Sequence, residues 1–287
     1  MSKKNIFDPN NIDFVIYHAE CTDGFGAAWA AWKLLGSSAE YYAAKHDTPP
    51  PDIAGKNVVI LDFSYNNKTM KKMMKSAKSL FVIDHHKTAM IDLHDLACVH
   101  FDMNHSGAML SWMFFHPGKE PPRMIKFIED RDLWKWEIPY SKEFSAAFDM
   151  VPYDFDEFSR FEDESVVDDA VRRGSYILAY SKTVVSKIVK HAAQRTLDGR
   201  AALVVNSSHW MSEIGNVLSQ KCDIAVIWFF DHNDLTTKVS LRSHHNAADV
   251  SEIAKKFGGG GHKNAAGFRL DLGVNIESIF DDEKSDK

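Results

Sequence analysis

The chain has 287 residues, of which 45% are hydrophobic and 26% are charged. This composition suits a well-packed globular protein of one or two domains. The net charge of −6 argues against a general nucleic-acid-coating protein, because such a protein needs a broad basic surface. A small anionic substrate stays compatible with this charge, since a bound divalent metal can reverse the local electrostatic field.

The sequence contains no run of about eighteen apolar residues, so we expect no transmembrane helix and no membrane partner. Its N-terminal segment is polar and lacks the apolar region of a secretory signal. Three scattered cysteines, Cys21, Cys98 and Cys222, are too few for a disulfide framework. These features together favour a cytoplasmic protein with reduced thiols.

Strand and helix signals alternate in the first part of the chain, a pattern typical of a parallel sheet with crossover helices. Runs of β-forming residues predict strands at 14–17, 58–62 and 80–83. Amphipathic or apolar segments predict helices at 26–35, 68–78, 108–115 and 122–128.

The composition shifts after this part of the chain. Residues 149–165 are rich in acids and aromatics and predict a loop or a partly ordered segment. Residues 166–195 have nearly helical apolar spacing and predict a long helix, with a break at Gly174 as an open alternative. A second α/β unit follows Gly199, with predicted strands at 201–205, 223–230, 236–242 and 265–270 and predicted helices at 211–220 and 249–257.

The predicted fold class is therefore α/β with two domains. We predict a parallel-sheet domain at 1–160, a helical linker at 161–196 and a smaller α/β domain at 197–287. This arrangement predicts an active cleft between the two domains.

Polar side chains follow three of the predicted strands at the point where each strand ends. His18 ends the first strand, Asp62 ends the second, and Asp84, His85 and His86 end the third. In open α/β sheets, ligands bind just outside the carboxyl ends of the strands. An adjacent histidine pair alone is more often an exposed loop than a ligand site, but three strands that end in this way indicate a single cleft.

A set of oxygen and nitrogen donors suggests a metal site in this cleft. The candidate ligands are His18, Asp23, Asp62, His85 and Asp130. Mixed carboxylate and imidazole ligation favours Mn²⁺, with Mg²⁺, Co²⁺ and Fe²⁺ as alternatives, whereas a structural zinc site would contain more cysteine. Five such groups exceed what one ion needs and allow two ions that share a bridging carboxylate, the arrangement that stabilises both the attacking and the leaving oxygen in phosphoryl transfer.

Each acidic candidate also has a simpler interpretation. Asp23 begins a common turn dipeptide, and Asp62 could cap the segment that follows its strand. Asp130 and Asp132 flank Arg131 and could form a surface ion-pair group with it. Because three strand ends and an acidic cluster coincide, we favour the metal site.

A run of four glycines in the second domain predicts an anion clamp. Glycine exposes backbone N–H groups without side-chain obstruction, and the following histidine and lysine add charge-assisted donors. Arg242 ends the neighbouring strand and can bind a phosphate in a bidentate manner. The alternative for the glycines is a tight turn. His105 precedes a predicted helix whose first N–H groups could also bind phosphate. The candidate substrate-binding residues are Arg242, Gly259, Gly260, Gly261, His262 and His105.

The chain resembles the DHH phosphoesterases, a superfamily that includes RecJ-type exonucleases, nanoRNases, linear-dinucleotide phosphodiesterases and family II pyrophosphatases. Residues 82–86, V-I-D-H-H, are similar to the third motif of this family. Residues 239–243, V-S-L-R-S, and 257–267, F-G-G-G-G-H-K-N-A-A-G, are similar to the signature of the DHH-associated C-terminal domain of the RecJ/nanoRNase branch. The resemblance implies an N-terminal DHH domain and a smaller C-terminal substrate-binding domain.

Roles for individual residues also follow from the resemblance. It implies that Asp84 orients a histidine and that His86 faces the substrate phosphate, so these two form the candidate catalytic pair. It assigns the metal ligands to the first, second, third and fourth motifs, in the order His18 and Asp23, Asp62, His85, and Asp130.

The sequence departs from the family pattern at one ligand position and is ambiguous at another. The family usually has a further aspartate two residues before the position of Asp23, and this chain has Cys21 there. One metal position could then be weaker, recruit Cys21 or Glu20, or hold a different ion. In the fourth motif, Asp132 is an alternative to Asp130.

The resemblance implies a metal-dependent phosphoesterase that hydrolyses linear dinucleotides or short oligoribonucleotides to mononucleotides, with water activated by two metal ions. The absence of extra domains and of a basic stripe argues against long single-stranded or duplex nucleic acid as the substrate. Exopolyphosphatase and nucleotide phosphomonoesterase activities are the alternatives within this class. A phosphate-binding or nucleotide-binding protein with a weakened metal site is the alternative outside it. A homodimer is the default expectation for assembly.

Overall fold

The computed structural model describes residues 7–46, 48–244 and 247–281. The chain divides into two compact units, residues 1–178 and residues 179–287, and each contains one β-sheet. Among the described residues, no helix is both long enough and apolar enough to cross a membrane.

The sheet of the first unit consists of five parallel strands. These are β1 (Phe14–His18), β2 (Glu40–Ala44), β3 (Asn57–Leu61), β4 (Ser79–Asp84) and β5 (Val99–Phe101). Their order is β2-β1-β3-β4-β5, and Leu61 pairs with both Tyr17 and Ile83 across the three central strands. Because this register aligns the carboxyl ends of β1, β3 and β4, the residues that follow these strands lie at one edge of the sheet.

Both faces of the sheet are buried at its three central strands. One face places Ile16, Ile60 and Val82 in the core, and the opposite face contributes to a separate apolar cluster. Burial on both sides explains why the central strands are continuous apolar runs, as expected for a parallel sheet covered by helices. The helices are α1 (Thr22–Leu35), α2 (Asn67–Ser76), α3 (Lys87–Asp92), α4 (Gly107–Phe115), α5 (Arg123–Asp132), α6 (Ser141–Phe148), α7 (Phe155–Ser159) and α8 (Glu164–Ile188).

Residues 149–154 form a loop, but 155–165 contain helix α7 and the first residues of α8, so the prediction of a loop or a partly ordered segment was wrong for 155–165. Asp154 caps α7 by accepting hydrogen bonds from the backbone N–H groups of Asp156 and Glu157. Phe158 and Phe161 are buried in the apolar cluster of the first unit. Capping and burial together order a segment whose acidic composition indicated a loop.

Helix α8 continues through Gly174, so the alternative of a break at this glycine was also wrong. A Cβ atom at position 174 would collide with the backbone carbonyl of Glu143 in α6. The glycine therefore allows α8 to approach α6 closely.

The second unit has a mixed six-stranded sheet. Its strands are β6 (Ala193–Leu197), β7 (Arg200–Asn206), β8 (Ile224–Asp231), β9 (Thr236–Arg242), β10 (Gly260–His262) and β11 (Ala265–Leu270), and its helices are α9 (Met211–Ser219) and α10 (Val250–Lys256). The order is β10-β11-β9-β8-β7-β6, and only β7 and β8 pair in parallel. Residues 193–196, which we assigned to the linker, thus belong to this sheet. The predicted α/β class and the parallel N-terminal sheet are confirmed.

Candidate metal centre

Asp62 lies at the centre of a buried polar cluster in the first unit. It directly follows β3, and its backbone has a φ of 52°, a left-handed conformation that is rare for a residue with a side chain. Its N–H donates to the carbonyl of Ile83 at 2.9 Å, and its side chain is 2% exposed. Strained backbone of this kind clusters at functional sites.

Three carboxylates surround one imidazole in this cluster. The Nε2 atom of His85 lies 3.2 Å from Asp62 Oδ1, 3.5 Å from Asp132 Oδ2 and 3.7 Å from Asp23 Oδ2. On the other side of Asp62, His18 Nδ1 lies 3.4 Å from its Oδ2 atom. Four of the five predicted ligands therefore meet at the carboxyl edge of the sheet.

The start of helix α4 holds Asp23 in place. The N–H of Gly107 donates to Asp23 Oδ2 at 2.6 Å, and the N–H of Ala108 donates to Asp23 Oδ1 at 3.0 Å. A carboxylate is stabilised at a helix N-terminus by these donors and by the helix dipole. These two N–H groups were candidates for binding phosphate, and the structure gives them to Asp23 instead.

Two glycines allow this close packing, and the sequence reasoning did not identify their role. A Cβ atom on Gly107 would collide with the Asp62 side chain and would lie 2.7 Å from its Oδ1 atom. A Cβ atom on Gly24, in the first turn of α1, would lie 2.6 Å from the Cβ of His18. The signal in the sequence was a glycine in the first turn of each of two helices that begin beside candidate residues, Asp23 and His105.

Asp84 organises the turn that contains the two histidines. Its Oδ1 atom accepts from the N–H groups of His85 at 2.7 Å and His86 at 3.2 Å, and lies 2.6 Å from His86 Nδ1. Its Oδ2 atom accepts from the hydroxyl of Ser64 at 2.6 Å. Both carboxylate oxygens of Asp84 thus act in positioning. Because Asp84 holds Nδ1, His86 would contact a substrate through Nε2.

The electrostatics of the cluster are unfavourable without a cation. Burial, together with the carboxylates of Asp62 and Asp132, raises the pKa of Asp23 well above its usual range. Burial disfavours the charged form of His85, but the surrounding carboxylates raise its pKa to about 10. Burial also opposes ionisation of Asp62, yet the neighbouring imidazoles of His18 and His85 hold its pKa well below the usual range. A divalent cation would relieve the repulsion among the carboxylates.

The structure separates the roles of Asp130 and Asp132. The carboxylate of Asp130 accepts hydrogen bonds from the N–H groups of Glu137, at 2.8 Å, and Ile138, at 3.3 Å, and from the hydroxyl of Ser141. Two residues along a helix differ by about 200° in direction, so the two side chains point to opposite sides of α5. Asp130 therefore fixes the loop after α5, and Asp132, our alternative, is the residue beside His85.

The donor atoms of the cluster fit a divalent cation. One group consists of Asp23, Asp62 and His85, and another consists of His18, Cys21 and Asp62; within each group the ligand atoms lie within 4.8 Å of one another. His18 Nδ1 and Asp62 Oδ1 are buried and accept or donate no hydrogen bond within the described residues. Oxygen and nitrogen donors that lie this close together suit a divalent metal ion.

In the second unit, Arg242 is a candidate anion-binding residue. Its guanidinium donates to the hydroxyl of Ser240 at 2.7 Å, to the carbonyl of Leu241 at 3.0 Å and to the hydroxyl of Ser212 at 3.1 Å. All the hydrogen-bond partners of Arg242 among the described residues are neutral. Burial lowers its pKa, which indicates that the charge is poorly solvated. A half-buried guanidinium that hydrogen-bonds only neutral groups is suited to an anionic ligand.

The glycine run has a packing role in the structure. Gly260, Gly261 and His262 form β10, which pairs antiparallel with β11. Gly261 has a φ of 135°, and a Cβ atom there would lie 2.6 Å from the carbonyl oxygen of Ala265. A Cβ atom on Gly259 would lie 2.6 Å from the Cβ of Phe268. These glycines allow the edge strand to approach its neighbour, and their part in binding anions stays a prediction.

His105 lies near the start of α4, as the sequence indicated. Its Nδ1 atom lies 3.2 Å from Glu129 Oε1, and its side chain is 37% exposed. The carboxylate orients the ring, and a role of His105 in substrate binding stays a prediction.

Comparisons with known proteins agree with this architecture. The sequence-family model of the DHHA1 domain matches residues 202–283 of this chain. Uncharacterized protein R106 of Acanthamoeba polyphaga mimivirus is 32% identical over 292 residues, covering 92% of this chain and 69% of that protein. The chain belongs to the DHH phosphoesterase family and has a C-terminal DHHA1 domain.

Two further matches extend the comparison. Oligoribonuclease NrnB of Bacillus subtilis strain 168 is 24% identical over 228 residues, which cover 70% of this chain and 55% of that protein. The structure of RecJ from Thermus thermophilus in complex with Mn²⁺ matches with a TM-score of 0.52 and 14% identity, over 96% of this chain and 51% of that one. The RecJ match shows that the fold is shared. The chain thus spans about half the length of each of these two proteins.

Proposed function

We propose that this member of the DHH phosphoesterases is a divalent-metal-dependent phosphodiesterase that hydrolyses linear dinucleotides or short oligoribonucleotides to mononucleotides. The observation that carries the proposal is the buried cluster of carboxylates and imidazoles around Asp62. The similarity to an oligoribonuclease supports the choice of a short nucleotide substrate.

The residues proposed to hold the metal are those of the cluster. Asp23, Asp62, His85 and Asp132 would form one position, and His18 would contribute to a second position that shares Asp62. We propose Mn²⁺ as the first ion to test, because mixed carboxylate and imidazole donors suit it and because the RecJ structure contains it. Bound cations would act as Lewis acids on the phosphoryl group and would supply the activation of water that hydrolysis needs.

His86 is proposed to act on the scissile phosphate. Although burial disfavours the imidazolium, the Asp84 carboxylate raises the pKa of His86 to about 9. With Nδ1 held by Asp84, the ring presents Nε2 to the substrate. In its protonated form, the ring could donate a hydrogen bond from Nε2 to a phosphate oxygen or a proton to the leaving oxygen.

Arg242 is proposed to hold another phosphate of the substrate. Its half-buried guanidinium donates hydrogen bonds to neutral partners, so a phosphate would be a charged hydrogen-bond partner for it. Hydrogen bonds between a guanidinium and a phosphate are charge-assisted and roughly twice as strong as neutral ones. A second anchoring point of this kind favours a substrate that has more than one phosphate.

The proposal is tested with a substrate panel. Protein stripped with a chelator and reloaded with Mn²⁺ is incubated with linear dinucleotides, RNA of two to five nucleotides, long single-stranded RNA, cyclic dinucleotides, a nucleotide bisphosphate, pyrophosphate and polyphosphate. Chromatography of the products should show mononucleotides formed fastest from the short linear substrates.

Two variants provide the controls. Asp62→Asn should abolish both metal binding and hydrolysis, whereas Asp52→Asn, which changes an exposed aspartate, should retain both. Preferential hydrolysis of polyphosphate or of the bisphosphate would move the assignment to one of the alternative phosphoesterase activities. Metal binding without hydrolysis of any member of the panel would refute the proposal.

A further inference from the structure

Cys21 occupies a position at the start of helix α1 where its side chain does not serve the helix. The residue immediately precedes α1, with an extended backbone of φ −127° and ψ 130°. Residues at such positions are usually Ser, Thr, Asp or Asn, whose oxygen accepts a backbone hydrogen bond. In the described part of the chain, the Cys21 side chain makes no capping hydrogen bond. Its Sγ atom lies 3.8 Å from Asp62 Oδ2.

Two further side chains beside Cys21 provide donor atoms for a cation. His18 Nδ1, Cys21 Sγ and a carboxylate oxygen of Asp62 lie within 4.8 Å of one another. Among the residues that the structure covers, the buried His18 Nδ1 forms no hydrogen bond. It faces Asp62 Oδ2 at 3.4 Å, on a carboxylate whose side chain is only 2% exposed. A buried ring nitrogen without a hydrogen bond, beside a buried carboxylate, favours a bound cation at this position, independently of the cysteine.

The two oxygens of Asp62 are directed at different groups. Oδ2 lies 3.4 Å from His18 Nδ1 and 3.8 Å from Cys21 Sγ. Oδ1 lies 3.2 Å from His85 Nε2, on the side where Asp23 and Asp132 also approach His85. The carboxylate is therefore arranged to be shared by two positions, of which one contains sulfur and the other contains only oxygen and nitrogen.

We propose that Cys21 is a thiolate ligand of a metal position formed with His18 and Asp62, and that this position selects a thiophilic divalent cation. Thiolates favour Zn²⁺, Co²⁺ and Fe²⁺, whereas carboxylates suit harder ions such as Mn²⁺. The centre would then hold two different cations, with the harder ion at the position formed by Asp23, Asp62, His85 and Asp132. This inference rests on the proposed function and deepens it by naming the metal specificity of each position.

Cobalt spectroscopy gives a readout that does not depend on activity. Chelator-treated full-length protein is titrated with Co²⁺, and absorption is recorded in the near ultraviolet, where charge transfer from thiolate to Co²⁺ appears, and in the visible region, where the d–d bands report cobalt binding. We expect the charge-transfer band in the wild type and in Cys98→Ser, which changes another partly exposed cysteine of the same unit. We expect its loss in Cys21→Ser, with affinity for Co²⁺ at this position at least about tenfold weaker.

Metal selection is tested by loading the apoprotein from an equimolar mixture of Zn²⁺ and Mn²⁺ and measuring metal content by mass spectrometry. The wild type should retain one of each ion per chain. Cys21→Asp should retain more Mn²⁺ at the expense of Zn²⁺, and circular dichroism would verify that it is folded. If the ratio of Zn²⁺ to Mn²⁺ in Cys21→Asp is the same as in the wild type, the proposed metal selection by Cys21 is overturned.

The outcomes distinguish this inference from the proposed function. Cobalt d–d bands in the wild type without a charge-transfer band would overturn the role of Cys21 and leave a metal-dependent enzyme intact. This result needs no variant, so it does not depend on the folding of a mutant protein. Failure of the wild type to bind Co²⁺ or Mn²⁺ at all would overturn both proposals.

Discussion

The two aspartates at the end of α5 provide the sharpest test of the site. The structure gives Asp130 a role in holding a loop and brings Asp132 next to His85. Replacing each by alanine should therefore affect a different property of the protein. Asp130→Ala should reduce the stability of the metal-free protein, and Asp132→Ala should reduce metal binding.

The expected loss for Asp130→Ala follows from its hydrogen bonds. Its carboxylate accepts from two backbone N–H groups and one hydroxyl, and a hydrogen bond to a charged group contributes about 1.5–3 kcal/mol. Part of this total is offset because the variant no longer buries a charge. We therefore expect the free energy of unfolding to fall by about 2–4 kcal/mol. Asp132→Ala removes a carboxylate that lies among like charges, so the metal-free protein should change by less than about 1 kcal/mol.

Urea unfolding with and without Mn²⁺ measures both effects. At a free metal concentration of about 100 times the dissociation constant, binding stabilises the folded state by about 2.7 kcal/mol. The wild type and Asp130→Ala should both show this gain, and Asp132→Ala should lose most of it. Calorimetric titration with Mn²⁺ gives the affinities directly. The assignment is refuted if Asp132→Ala retains the metal-dependent gain while Asp130→Ala loses it.

Three further predictions follow from other parts of the structure. Gly107→Ala should displace the Asp62 side chain and weaken Mn²⁺ binding about 10- to 100-fold in calorimetric titration. Arg242→Ala should lower kcat/KM on a linear dinucleotide by about 10- to 1000-fold and leave metal content unchanged, because it would remove the charge-assisted contact that we propose to the substrate. Burial lowers the pKa of His116, whose Nε2 donates to the carbonyl of Ala30. Below a pH of about 6.5 the unfolded chain then binds more protons than the folded one, so the free energy of unfolding should decrease as the pH is lowered. Urea unfolding at about pH 7.5 and about pH 5.5 should show a smaller decrease for His116→Gln than for the wild type.

The sequence predicted the central strands because their apolar runs are long and end in polar residues. The edge strands were missed for a physical reason. Residues of β2, Glu40–Ala44, are mostly exposed or half-buried, and β5 has only three residues, so neither has the apolar pattern of a buried strand. In the second unit, β10 was missed because glycine disfavours strands and its three residues include two glycines.

Helix α7 carried a signal that composition concealed. Asp154 is followed three residues later by Glu157, the spacing found where a helix begins with a capping residue. The acidic residues around this pair made the segment resemble a loop. Local capping chemistry was therefore more informative here than average composition.

The donor types of the candidate site could be predicted from strand ends, but the choice between Asp130 and Asp132 could not. That choice depends on how α5 is rotated about its axis relative to the sheet, and the rotation is set by packing of Met124, Phe127 and Ile128 in the core. A shift of two positions on a helix reverses the direction of a side chain, so the spacing of acidic residues alone cannot decide it.

Several features that oppose folding meet at Asp62. A left-handed backbone at a residue with a side chain costs on the order of 1–3 kcal/mol, and burial of a carboxylate beside Asp23 and Asp132 adds electrostatic repulsion. Two glycines are required in addition, so that α1 and α4 can approach the strand ends. A fold tolerates such a combination where function depends on it, and a divalent cation would convert the repulsion into coordination. Metal binding should therefore contribute to the stability of the first unit as well as to its chemistry.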